Sequence, residues 1–204
     1  MRDLETWLND MSARPLPGGV AAAAVAAAMG AALIAKALRV TLNRQQSAAL
    51  DRTVLKETLN LTQAQQLALF HQADADVEAY QAVLDTRFLA ASDPARRRAW
   101  RSATEVPIAI AEACRLLLDR LPGVVPHCWS GVCVDFEIGS QLLEAGMRAG
   151  VLAAEANLSL GGAAVDGGPF RLRIEALWQE DRANEGGSDD ARLSRCDCLQ
   201  GSQA

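Results

Sequence analysis

Sixteen consecutive residues without charge, Val20 to Ala35, dominate the sequence and limit what the chain can fold into. Alanine supplies most of the run. It is the best helix former and strips a helix of side-chain bulk, so neighbouring helices can approach closely. Pro17-Gly18-Gly19 stands directly before it. Those glycines leave the backbone free to bend and the first helical N–H groups uncovered, which suits a carboxylate or phosphate. The run falls short of the roughly 20 strongly apolar residues of a membrane span before Lys36 interrupts it. The segment ahead carries Asp3, Glu5 and Asp10 instead of the basic start of a signal peptide. A core helix of a cytoplasmic protein, with no membrane partner, is the expectation.

The rest of the chain reads as further helices. Leu4, Trp7, Leu8 and Met11 give a short amphipathic helix over 3–13. The Ala-rich helix runs to about Asn43, and a long helix follows over 47–88 with Leu50, Val54, Leu59, Leu67, Phe70, Val77, Tyr80 and Leu84 as its apolar seam. Asp93-Pro94 caps a helix reaching about Leu121, with Pro107 inside it. Residues 132–160 and 169–183 form two more. No period-two pattern persists, and 50% hydrophobic content with only 4% aromatics favours packed helices over a β-sandwich. The expected fold is an all-α bundle of about five long helices. It forms a single domain over 1–184, with a disordered tail over 185–204.

A net charge of −5 argues against a nucleic-acid partner. The basic knot Arg96-Arg97-Arg98 with Arg101 reads as a solvated helix face. Five cysteines, an odd number, fit a reducing compartment. Cys196-Asp197-Cys198 has no matching pair nearby, so no metal site is expected.

Several short stretches, in order, resemble the cyclodeaminase and methenyltetrahydrofolate cyclohydrolase family over roughly residues 4 to 162. They are Pro17-Gly18-Gly19, Met29-Gly30-Ala31-Ala32-Leu33, Thr41, Asp76-Val77-Glu78-Ala79-Tyr80, Ala103-Thr104-Glu105-Val106-Pro107, Asp135 and Asn157. The resemblance implies an all-helical homodimer that binds a tetrahydrofolate derivative as substrate in a cleft near the subunit interface. It implies either hydrolysis of the methenyl bridge to the 10-formyl form or loss of ammonia from a formimino-folate. Pro17, Gly18 and Gly19 would belong to the cleft. The departures are specific. The third loop glycine falls on Val20, the Asn of Asn-Leu-Thr on Arg39, and Gly-Lys-Lys-x-Tyr on Asn43-Arg44-Gln45-Gln46-Ser47, so the reactive-site lysines and tyrosine are absent. Gly-Asn falls on Cys128-Trp129.

Hydrolysing a cyclic amidinium needs a water and a group to take its proton, and a carboxylate in an apolar cleft suits this. Asp76 is the candidate base, because Tyr80 lies one turn on along the same face while Asp74 and Glu78 point elsewhere. Arg39, Arg44 or Lys36 would supply the cation. Arginine is no proton donor at neutral pH, so the three are not equivalent. Asp135 would orient a pterin amino group, and Asn157 would offer a donor and an acceptor. Thr41 and Tyr80 complete the substrate-binding set. His71 reads as an edge residue, and His127 beside Cys128 has no third partner to make thiol chemistry. The alternative is a catalytically impaired relative that serves as a ligand-binding or partner-docking helical dimer.

Overall fold

Alanine lets the helix after Gly18 pack along most of its length. The computed structural model describes residues 4–44 and 49–185. They form six α-helices: α1 Leu4–Ala13, α2 Gly19–Asn43, α3 Ala49–Thr86, α4 Pro94–Leu118, α5 Cys133–Gly161 and α6 Gly168–Glu185. No strand occurs among the described residues. The connector from α4 to α5 holds three short 3-10 turns, Leu121–Gly123, Val125–His127 and Ser130–Val132. The all-α expectation holds, and the helix ends fall within a few residues of those the sequence predicts. The expected disordered tail, Cys196 and Cys198 within it, and Gln45 to Ser47 lie outside the described residues.

Helices α2 to α5 close a square in which α2 packs on α3 and α5, and α4 packs on the same two. Successive helices run antiparallel. α6 lies against α4 and α5. Two glycines set the close approach of α2 to α5. A Cβ on Gly30 would stand 2.7 Å from the Gly139 carbonyl oxygen, and one on Gly139 would stand 2.8 Å from that of Gly30. Bare backbones therefore touch between α2 and α5, and any side chain there would push the helices apart. By length and composition α2 could cross a membrane, and 56% of its apolar window is buried inside the fold.

The register of α3 differs from the predicted seam. Val54 and Leu67 are exposed, at 38% and 61%, whereas Leu55, Thr62, Leu69, Asp76 and Val83 are buried. The true seam steps by seven and includes two polar side chains, which an apolar count passes over. The Thr62 hydroxyl is satisfied locally, donating to the Thr58 carbonyl at 2.7 Å. α4 starts as predicted, with the Asp93 carboxylate accepting from the Ala95 N–H at 2.8 Å and Pro94 in the first turn. Cys114 and Cys128 are free thiols. Cys133 is disulfide-bonded.

Candidate functional site

Asp76 and the glycine turn meet. Gly18 precedes α2 in extended conformation and offers no side chain to cap it. The cap comes instead from α3, where the Asp76 carboxylate accepts the Ala21 backbone N–H. Asp76 is 7% exposed. Burial raises its carboxyl from 3.8 to about 6, and the Ala21 bond offsets part of that rise. A Cβ built on Gly18 or Gly19 would meet nothing within 4 Å, so open space borders the turn beside the acid. Pro17 is buried, and Tyr80 is half-buried one turn along α3. Asp74, Glu78 and His71 are exposed, away from this seam.

The other candidates gather at the opposite end of α2. Thr41 is buried; its hydroxyl donates to the Ala37 carbonyl at 2.9 Å and accepts the Trp129 backbone N–H at 3.1 Å. The Arg44 guanidinium lies 3.3 Å over the Trp129 ring. Lys36 pairs with Asp135 at 2.7 Å, joining α2 to α5. Arg39 is exposed on the turn between. Burial pushes the Cys128 thiol up to about 11, against a smaller opposing effect of the Thr41 hydroxyl, so it is no thiolate nucleophile. At about 1.5 Å per residue, Ala21 and Thr41 stand some 30 Å apart along α2. One chain thus brings Pro17, Gly18, Gly19, Asp76 and Tyr80 to one end, and Lys36, Arg39, Thr41, Arg44 and Asp135 to the other.

Asn157 has a task inside the bundle. Pro107 lacks an N–H, so the Ala103 carbonyl one turn earlier in α4 loses its helical donor. The Asn157 side-chain amide of α5 donates to that carbonyl at 2.6 Å and replaces the missing bond. Asn157→Ala is expected to lower stability by about 1–3 kcal/mol, because the carbonyl of the buried Ala103 is left without a donor. Thermal or urea unfolding reads this directly. Glu105, in the same stretch, holds α6: Arg173 bonds it at 2.7 Å and grips Glu112 through two further bonds at 2.7 Å. Among the described residues, no group of three His, Cys, Asp or Glu side chains is arranged to hold a metal.

Sequence reasoning finds Asp76 by its helical spacing to Tyr80. Its contact with Ala21 is tertiary, and nothing local signals it. The resemblance places Trp129 at the family's Gly-Asn position, but the sequence does not show the stacking of its ring on Arg44. Its one signal is an aromatic side chain amid Pro126, Ser130 and Gly131, where a connector needs none.

Comparison with known proteins bears on the family and the fold. Residues 4–161 match the family model described as formiminotransferase-cyclodeaminase. The chain is 30% identical over 158 residues to a methenyltetrahydrofolate cyclohydrolase of Methylorubrum extorquens, which is 73% of this chain and 76% of that protein. It is also 30% identical over 154 residues to formimidoyltransferase-cyclodeaminase of Mus musculus, covering 71% of this chain and 28% of that longer protein. A crystal structure of formiminotetrahydrofolate cyclodeaminase from Thermotoga maritima has the same fold, with a TM-score of 0.79 at 19% identity, covering 98% of this chain and 96% of that one.

Proposed function

Because the chain belongs to the formiminotransferase-cyclodeaminase family, we propose that it hydrolyses the methenyl bridge of a 5,10-methenyltetrahydrofolate, working as a homodimer with Asp76 as general base. The observation that carries the reading is Asp76 itself, a buried carboxylate raised to about 6 beside the open glycine turn. Such a group is largely ionised at neutral pH yet basic enough to take a proton from water. Water adds to the bridging carbon of the amidinium, and Asp76 accepts one of its protons. The bond from that carbon to one ring nitrogen then breaks, that nitrogen ends up bearing a proton, and the formyl group stays on the other. The 30% identity to a cyclohydrolase over 76% of its length supports hydrolysis, and the equal identity to formimidoyltransferase-cyclodeaminase makes ammonia loss from a formimino-folate the second reading.

A dimer would supply the cation that one chain holds too far away. The outward stripe of α2 is apolar or small at Ala22, Ala26, Met29 and Leu33, with Met29 49% exposed. Val134 and Ile138 on α5 are also exposed, at 58% and 45%. A two-fold axis at Met29 would pair two copies of α2 antiparallel. Ala22 and Lys36 each lie seven residues from Met29, about 10 Å. Lys36 of the partner would therefore come level with Ala21 and Asp76, able to stabilise charge on the attacked carbon's oxygen.

Loss of the methenyl absorbance band on mixing with purified protein tests the proposal. Acceleration over buffer supports it. Folate binding without acceleration would instead favour the ligand-binding reading, which the missing lysines at Arg44 and its neighbours suggest.

A further inference from the structure

Trp129 is held by three independent contacts. Its backbone N–H bonds the buried Thr41 hydroxyl at 3.1 Å, fixing the connector to the C-terminal end of α2. One side of its ring lies over Gly131, where a Cβ would come within 2.3 Å of the ring carbons, so only glycine leaves room for it. The Arg44 guanidinium stacks on the ring at 3.3 Å from its centre. Arg44 is exposed and Trp129 half-buried, so the arginine is the outer layer of the stack. A flat ring packed against the core and stacked by an exposed arginine is a platform with a removable cover.

We propose that Trp129 is a substrate-positioning residue whose indole face takes a planar heteroaromatic ring of pteridine size, with Arg44 moving aside to admit it. The inference rests on the folate reading above and names the group that holds the ring. Stacking of a flat heterocycle on an aromatic face outweighs an exposed cation on the same face, so the exchange is favourable. Once released, the guanidinium is free to pair with a carboxylate of the same ligand. The platform sits at the same end of α2 as Lys36 and Asp135, which are joined at 2.7 Å. The ring and the cation of the proposed site would thus come from one subunit and the base from the other.

Titration of the full chain with pterin-6-carboxylate, with p-aminobenzoylglutamate and with 5-formyltetrahydrofolate tests this. Tryptophan fluorescence and calorimetry give the readouts. The pterin is expected to quench the wild type, and the quench is expected to vanish in Trp129→Phe while affinity stays within a few-fold. Trp129→Leu should weaken pterin and formyl-folate binding by about 5- to 150-fold. It should raise KM for the methenyl substrate far more than it lowers kcat. Arg44→Ala removes the partner proposed for the ligand's carboxylate and should weaken binding of p-aminobenzoylglutamate, which has carboxylates and no pterin. Unaltered pterin affinity in Trp129→Leu, with normal turnover, would overturn the platform and leave the folate reading standing. If none of the three compounds binds the wild type, both are wrong.

Discussion

Asp76→Asn is expected to lower the rate of methenyl-bridge hydrolysis by about 10²- to 10⁴-fold, the range for loss of a positioned base. The same change is expected to stabilise the fold at neutral pH, and the opposed signs make the prediction discriminating. The Asp76 carboxyl lies near 6 in the folded chain against an ordinary 3.8, with burial as the main cause. The folded chain therefore keeps this proton where the unfolded chain has already lost it. Stability falls as pH rises from about 4 to about 6, and above that the ionised carboxylate is a standing cost. Asparagine keeps an oxygen for the Ala21 N–H and removes the charge. The gain should be about 1–3 kcal/mol at pH 7.5 and close to zero below pH 4. In the wild type, kcat/KM should rise through an inflection near pH 6 and then level off. A purely structural Asp76 would give no such inflection, and its replacement would leave turnover intact.

That pairing of effects reflects how the site is built, and only part of it is legible in the sequence. The helices are legible because alanine content, Asp93-Pro94 and the glycines after α5 are local signals. Asp76 is legible as an inward carboxylate through its spacing to Tyr80. Its seam is not, since Thr58 and Thr62 occupy core positions, the Thr62 hydroxyl by bonding within α3, which no apolar count registers. The use of Asp76 as the cap of another helix depends on α2 and α3 running antiparallel with Ala21 level with position 76. Asn157 reads as a ligand group in the sequence, yet its amide serves the carbonyl that Pro107 strands at Ala103. Asn157 and Ala103 are 54 positions apart, and only the packing of α4 on α5 links them. The separation of Thr41 and Arg44 from Gly19, by contrast, follows from helix rise alone.

That separation leads to the second large effect. Lys36 stands 15 residues beyond Ala21 on one straight helix, about 22 Å away, and it is held in place by Asp135 at 2.7 Å. It cannot serve Asp76 of its own chain. Lys36→Met is expected to cost about 10²- to 10³-fold in kcat, the loss typical of one preorganised electrostatic partner. A heterodimer of Lys36→Met with Asp76→Asn, isolated through two different affinity tags, carries one doubly altered site and one intact site. It should recover about half of wild-type activity, although each homodimer is nearly inactive. The recovery follows from geometry alone, because no intermediate rate arises if base and cation belong to the same chain. If the isolated heterodimer is as inactive as its parents, with all three species dimeric by sedimentation, then Lys36 and Asp76 do not share a site across the interface. In that case the antiparallel pairing about Met29 is wrong, while the test of Asp76 as base stands on its own.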